Sequence, residues 1–163
     1  MKRLASTIPV LLIAASAAAQ EAGEARKFEV PYTWSSADVE IHDAGAGWKV
    51  SIGTTDLVLT GQSGTPFDKL VGRCLVLSHF RLDDANQYRS VGDCLLTDAD
   101  GDRIFETIEE TNGAGKATMK DGTGKFEGIV ADLAFSGTWQ GASAEDRNAG
   151  VGLKTGTWRK AGS

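Results

Sequence analysis

The sequence predicts an all-β protein, either a sandwich or a closed antiparallel barrel. Short runs rich in β-branched and aromatic residues recur along the chain, with glycine, asparagine and aspartate between them. Beyond the N-terminal region, no long segment repeats apolar residues at the helical period. Only two prolines, Pro31 and Pro66, interrupt this region. Regular short strands with few breaks are typical of both architectures.

The N-terminus has the parts of a secretory signal. Lys2 and Arg3 are basic, an apolar stretch follows, and the small residues up to Ala19 fit a cleavage site. The apolar stretch is well short of the roughly 20 residues that a membrane-spanning helix needs, so we expect no membrane insertion. We predict a signal peptide over residues 1–19 and a single domain over residues 20–163, located in the periplasm or secreted.

The net charge of the chain limits the classes of partner that it can bind. Cleavage after Ala19 removes Lys2 and Arg3 and no acid, so the net charge changes from −5 to −7. An acidic surface argues against nucleic acid as a partner, because phosphates bind basic patches. The mature length suits one domain with its own core. Assembly into a homo-oligomer is left open.

The strands follow one another closely along the chain. In the first, Phe28, Val30, Tyr32 and Trp34 share one face, as alternation in a strand requires. Turn residues separate the later strands, and residues 141–150 read as a polar surface loop. The predicted strands are 27–34, 38–42, 47–52, 56–60, 70–82, 87–96, 103–110, 116–119, 125–135 and 153–159.

Cys74 and Cys94 are the only cysteines. In an exported protein an even pair is first read as a disulfide. Each lies in a predicted strand, and their separation suits two neighbouring antiparallel strands joined by a long loop. A metal site is the rival interpretation, but neither a CxxC spacing nor a nearby histidine supports it.

Residues 122–129, with the sequence GTGKFEGI, resemble a signature of the allene oxide cyclase-like and dirigent-like barrels. In that group a GTGxFxG run marks a tight turn that leads into a long strand. The resemblance implies an antiparallel closed β-barrel of about eight strands with a central cavity. It implies no particular activity, because the acid–base residues of the plant cyclases have no matching motif here.

An acidic segment carries the spacing of a calcium loop. With Asp98 at position 1, Asp100, Asp102 and Glu109 occupy positions 3, 5 and 12, where carboxylate oxygens would surround one cation. Position 6 is Arg103 where such loops have glycine, and no flanking helices are predicted. The alternative is a hairpin turn in which aspartates cap their own backbone. No cofactor is expected beyond this candidate calcium site.

Two further groups are candidates for a functional site. His79 and Arg81 share a strand face with apolar residues, and with Glu106 from a neighbouring strand they would suit proton transfer at a barrel mouth. An ordinary ion-pair cluster is the alternative. The aromatic side chains would either line a ligand cavity or fill the core. These aromatic residues are Tyr32, Trp34, Trp48, Trp139 and Trp158.

Three functions follow from these readings. The first is a barrel that binds a small apolar or aromatic molecule in a central cavity. The second is a cofactor-independent cyclase, isomerase or lyase that uses His79, Arg81 and Glu106, which depends on analogy with the cyclases. The third is a calcium-stabilised structural or interaction protein. The chain contains no hydrolase, zinc-protease, phosphate-loop or dinucleotide motif.

Overall fold

The computed structural model describes residues 23–61, 63–84, 87–143 and 147–161. The predicted signal peptide therefore lies outside the described residues. A short 3₁₀ turn, Gly124–Phe126, precedes the seventh strand. No helix among the described residues is long and apolar enough to cross a membrane. The strands are β1 (Arg26–Gly45), β2 (Trp48–Leu59), β3 (Leu70–Arg81), β4 (Tyr88–Thr97), β5 (Arg103–Thr111), β6 (Ala114–Gly122), β7 (Ile129–Ser143) and β8 (Arg147–Lys160).

The eight strands form a closed antiparallel barrel, as expected. Each strand pairs with the next, and β8 pairs with β1, so closure leaves almost no free edge. The exceptions are the last part of β1, which beyond Ser36 pairs only with β2 in a projecting hairpin, and the last part of β7, which beyond Ser136 pairs only with β8. We call the end with this hairpin the upper end. The opposite end, where β1 begins, is the lower end.

Two breaks predicted between strands are absent, because the polar residues at these positions continue the hydrogen-bonded pairing of the strands. Segments 27–34 and 38–42 are one strand, and so are 47–52 and 56–60. Ser36 pairs with Thr55 and Ala37 with Thr54, so these small residues continue both strands. The loop predicted at residues 141–150 is wrong for its described part, which extends β7 and β8 into a hairpin.

The lower half of the barrel is a packed apolar core. Phe67, from the connection between β2 and β3, lies against three other rings. Its centroid is 4.7 Å from that of Phe28, 5.1 Å from that of Trp158 and 6.2 Å from that of Phe126. Phe126 comes from the 3₁₀ turn and is buried. The predicted tight turn before a long strand is thus confirmed, and its aromatic residue closes the lower end.

The predicted disulfide is confirmed. Cys74 on β3 and Cys94 on β4 face each other directly across the ladder and are bonded. Both side chains are buried inside the barrel. The bond therefore identifies the inward face of both strands: Cys74, Val76 and Ser78 point inward, whereas Leu75, Leu77 and His79 point outward.

Large inward side chains in the upper half lie over glycines of the neighbouring strand. Tyr32 pairs with Gly152 and Trp34 with Gly150. A Cβ atom on Gly152 would lie 2.3 Å from Cζ of Tyr32, and one on Gly150 would lie 2.6 Å from Cζ2 of Trp34. The rings therefore need glycine opposite them, and this pairing holds both aromatic side chains flat against the inner wall.

Candidate functional site

The upper half of the barrel interior carries a row of polar side chains. Ser51, Ser78, Ser90 and Glu110 come from β2, β3, β4 and β5, and each pairs directly with the next across the ladder. We call these four residues the polar row. All three serines are buried, and Ser90 Oγ donates a hydrogen bond to Glu110 Oε2 at 3.3 Å. The apolar interior thus becomes polar towards the upper end.

Tyr88 lies at the upper edge of the polar row. Its hydroxyl is 3.3 Å from Ser78 Oγ, and its side chain is half-buried. Burial and the nearby carboxyl of Glu110 raise the pKa of Tyr88, so the phenol stays neutral and can donate a hydrogen bond. Tyr88 can therefore present a hydroxyl to a molecule that enters from the upper end.

Glu110 is half-buried at the end of the polar row. Burial raises the pKa of its carboxyl, and the hydrogen bonds from Ser90 and from the backbone of Gly113 oppose that rise. The Glu110 carboxyl is thus partly shielded from water and is held by neutral hydrogen-bond donors. It can accept a hydrogen bond there and, when protonated, donate one.

Below the polar row, Glu106 and Lys154 form a buried ion pair. Lys154 Nζ lies 2.5 Å from Glu106 Oε2, and both side chains are almost fully buried. The ammonium also lies 5.8 Å from the ring centroid of Tyr32 and 6.0 Å from that of Phe135. Glu106 Oε1 has no hydrogen-bond partner among the described residues. The pair divides the polar upper half from the apolar core.

Two atoms of the interior have unused hydrogen-bonding capacity. Besides Glu106 Oε1, the buried Ser51 Oγ lacks a partner within the described part of the chain. A buried polar atom without a partner costs about 1–3 kcal/mol, so such atoms are usually satisfied by water or a ligand. They lie on β2 and β5, and each indicates a place in the interior where a polar group would be accepted.

The predicted aromatic residues do not form one site. Tyr32 and Trp34 lie inside the upper half, and the Tyr32 hydroxyl donates to the Ser136 carbonyl at 3.2 Å. Trp158 belongs to the ring cluster at the lower end. Trp48 lies outside beneath the Arg81 guanidinium, and Trp139 is 63% exposed near the upper end. Only the first two can therefore line an interior site.

His79, Arg81 and Glu106 are not brought together. His79 and Arg81 are outward residues of β3, whereas Glu106 is buried inside the barrel. Arg81 instead donates to the Ala46 carbonyl and pairs with Asp83 beside the projecting hairpin. Both faces of β3 are apolar in sequence, and the inward face is the one with Cys74 rather than the one with His79. These three residues therefore cannot act on one reactant.

The four residues of the predicted calcium loop do not surround one point. Glu109 lies six residues along β5 from Arg103, about 20 Å from the acidic turn at the rise of a strand. Within the turn, Asp98 Oδ1 accepts hydrogen bonds from the amides of Asp100 and Asp102. The ammonium of Lys125 lies 2.5 Å from Asp98 and 2.8 Å from Asp100. The aspartates thus cap their own turn, and a lysine balances their charge.

Sequence reasoning missed the polar row and Lys154. A signal for part of the row was present, since Ser78 and Ser90 lie four residues from Cys74 and Cys94 and so share the faces that the disulfide marks as inward. Lys154 lies in a predicted strand but has no local pattern that would reveal a buried ammonium. Its partner is 48 residues away in the chain.

The polar row can be reached from the rim of the barrel. A groove of about 520 Å³ runs over the upper rim of β3 to β6. Ser90 and Glu110 line it from the interior, and His79 and Arg89 line it from the outer wall. Glu110 is thus the point at which the interior cluster meets an opening on the surface.

Fold and site together define a class: a closed eight-stranded barrel, stapled by a disulfide, with a polar interior at one end. No protein-family model matches the sequence, and no curated protein matches it. Among solved structures, the fold is similar to that of the pterocarpan synthase dirigent protein GePTS1, with a TM-score of 0.50 and 10% sequence identity over 86% of this chain and 88% of that chain. The chain therefore has a dirigent-like barrel fold. The likeness does not single out the allene oxide cyclases.

Proposed function

We propose that this protein is an exported barrel that binds a small molecule in the upper half of its interior. The observation that carries the proposal is the polar row, which places hydroxyl and carboxyl groups in the same half of the interior as Tyr32 and Trp34. Concave sites with apolar walls and a few convergent polar groups are the usual form of a small-molecule site. The dirigent-like fold supports the same role by analogy.

The chemistry of the row favours a neutral ligand with an aromatic or apolar body and at least one hydroxyl group. Tyr32 and Trp34 would contact the body, because aromatic faces stack on other rings. The hydroxyl would donate to Glu110 and accept from Tyr88. A carboxylate ligand is disfavoured, since Glu106 and Glu110 both carry the same sign of charge when ionised.

The proposed location is the periplasm or the outside of the cell. The disulfide is consistent with an oxidising compartment, where such bonds persist. A signal peptide over residues 1–19 remains the prediction that accounts for export.

The binding proposal is tested with a panel of neutral phenols and aromatic alcohols as probes. We expect at least one probe to raise the melting temperature of the mature protein and to change its tryptophan fluorescence. Trp34→Phe should remove most of the fluorescence change, whereas Trp139→Phe, at an exposed position, should leave it. Glu110→Gln should weaken binding about tenfold or more, because a hydrogen bond to a charged group contributes roughly 1.5–3 kcal/mol.

Glu40→Gln is the control, since Glu40 is exposed on the far part of β1 and does not line the groove over β3 to β6. It should bind each probe as the unaltered protein does. Native mass spectrometry of protein purified from its own host would reveal a molecule that is retained from the cell. If no probe binds and no molecule is retained, the proposal is wrong. Equal weakening by both glutamate substitutions would place the binding site elsewhere.

A further inference from the structure

A lysine and a glutamate reach each other across the interior of the barrel. Lys154 lies on β8 and Glu106 on β5, and these two strands are not neighbours in the barrel. Their side chains therefore meet through the interior, where both are almost fully buried. Lys154 is the only buried lysine within the described part of the chain. The fold thus holds this amine away from water.

Stability alone does not account for a buried pair of this kind. Removing both charges from water costs several kcal/mol per ion, and apolar residues of similar size in place of both partners are often at least as stabilising. Glu106 Oε1 is also buried and has no hydrogen-bond partner among the described residues. A buried amine beside an unpartnered carboxylate oxygen therefore indicates a chemical use for the pair.

The pair belongs to the same interior as the polar row above it. Glu106 and Glu110 are both inward residues of β5, four positions and about 13 Å apart along the strand. Burial, together with the carboxyls of Glu110 and Glu106, raises the pKa of Tyr32, so both carboxyls act on one hydroxyl between them. An elongated molecule whose hydroxyl is held at Glu110 would extend towards Lys154.

We propose that Lys154 forms an imine with the ligand, and that the ligand is an aldehyde with a hydroxyl group at its other end. This inference rests on the proposed function, because it adds a carbonyl group to the ligand of the same interior site. A lysine amine that is shielded from water is the group that forms imines with carbonyl compounds in proteins. The hydroxyl is held at Glu110, and the carbonyl carbon reaches Lys154 Nζ.

Glu106 is placed to move the protons of this reaction. It takes a proton from the ammonium of Lys154 across the 2.5 Å contact, which leaves a neutral amine. The nitrogen then bonds to the carbonyl carbon, and a proton passes from nitrogen to oxygen. Glu106 returns its proton to that hydroxyl, which leaves as water while the C=N bond forms. The products are one water molecule and a protonated imine, with the Glu106 carboxylate as its counter-ion.

The first test traps the imine with cyanoborohydride in the mature protein, with an equimolar amount of para-hydroxyphenylpropanal as the probe. Reduction converts the C=N bond to a stable amine, so each adduct adds the mass of the aldehyde less one oxygen atom. Peptide mapping should place the adduct on Lys154 at least about tenfold more often than on the exposed Lys120. Equal labelling of the two lysines, or no adduct on Lys154, overturns the proposal. The unaltered protein gives this result, so it does not depend on the folding of a variant.

The corresponding alcohol, para-hydroxyphenylpropanol, separates this proposal from the proposed function. It has the same ring and phenol but cannot form an imine. Binding of the alcohol without an aldehyde adduct on Lys154 overturns the imine and leaves the proposed function standing. If neither compound binds, the imine is overturned, and the panel of phenols and aromatic alcohols decides the proposed function.

The second test changes the pair itself. Lys154→Arg keeps a positive charge beside Glu106 but offers no amine that can lose its proton, so it should lose the adduct and still bind the alcohol. Lys120→Arg, at an exposed position, is the matched control and should keep the adduct. Glu106→Gln should slow trapping about tenfold or more, because it removes the group that moves the protons.

Melting curves check that each variant is folded. If Lys154→Arg does not fold, the double variant Lys154→Met with Glu106→Gln takes its place, since it removes both charges together. An adduct of unchanged yield in the folded variant without Lys154 overturns the proposal. Unchanged trapping in Glu106→Gln overturns the role given to Glu106.

Discussion

At the scale of single residues, Glu110 shows how the barrel changes the chemistry of a carboxyl group. It lies between a buried serine and an opening on the rim, and burial raises its pKa from the ordinary value of 4.5. The folded protein therefore holds the proton of Glu110 more tightly than the unfolded chain does. The stability that depends on this group is present at low pH and is lost as the pH rises through the raised pKa.

Glu110→Gln should remove the loss of stability that the unaltered protein shows as the pH rises. At pH values below 4.5 the carboxyl is protonated in both states, so the variant and the unaltered protein should have similar free energies of unfolding. As the pH rises above this range, the variant should become the more stable of the two. Urea unfolding at several pH values measures the difference. If the difference in the free energy of unfolding between Glu110→Gln and the unaltered protein does not grow with pH, the raised pKa of Glu110 is contradicted.

Lys154 marks the limit of sequence reasoning at this scale. The sequence predicts Glu106 as a functional residue, but its predicted partners His79 and Arg81 point to the outside of the barrel, whereas Glu106 points inward. The actual partner comes from β8 and becomes a neighbour only because closure folds the last strand back beside the first. A single sequence contains no local pattern for a contact made by closure.

At the scale of elements, the acidic turn and the glycine-rich turn form one unit. Asp102 Oδ2 accepts a hydrogen bond from the amide of Lys125, and Lys125 in turn pairs with Asp98 and Asp100. Gly124 allows this contact, because it has a φ of +55° and lies directly against the Asp102 carboxylate. The motif that resembles the dirigent-like barrels is thus a docking site for the neighbouring turn.

Gly124→Ala should be much more destabilising than Gly64→Ala. Both glycines have positive φ, so each substitution carries a strain of about 1–2 kcal/mol. A Cβ on Gly124 would also lie 2.0 Å from Oδ1 of Asp102, whereas one on Gly64 would meet nothing within 4 Å. We expect Gly124→Ala to lower the free energy of unfolding by at least about 2 kcal/mol more than Gly64→Ala does, as measured by urea unfolding.

A second substitution tests the cause of that extra loss. Asp102→Ala removes the carboxylate that a Cβ on Gly124 would meet. The double variant should therefore be less destabilised than the sum of the two single variants. Additive effects would show that the clash with Asp102 is not the cause.

At the scale of the whole molecule, the disulfide joins two central strands within the interior. It closes a loop with a sequence separation of 20 residues. In the chain-entropy model, a loop of this size corresponds to roughly 3 kcal/mol of stability, which comes mainly from restriction of the unfolded chain. Eight antiparallel ladders and the apolar lower half remain when the bond is removed.

The variant Cys74→Ala with Cys94→Ala should therefore fold into the same barrel and be about 3 kcal/mol less stable. Urea unfolding of the oxidised protein, the reduced protein and the variant measures this loss. A reductant should destabilise the unaltered protein and leave the variant unchanged. If the variant is as stable as the oxidised protein, the bond does not stabilise the barrel.

By itself, the sequence determined that the strands alternate, that turns separate them and that two cysteines lie on neighbouring strands. Alternation assigns side chains to two faces, but it does not say which face is inside when both are apolar, as on β3. Only closure of the barrel decided that Cys74 and Ser78 point inward, whereas Leu75, Leu77 and His79 point outward. The same closure created the polar row, because an inner face is defined only once all eight strands surround a common interior.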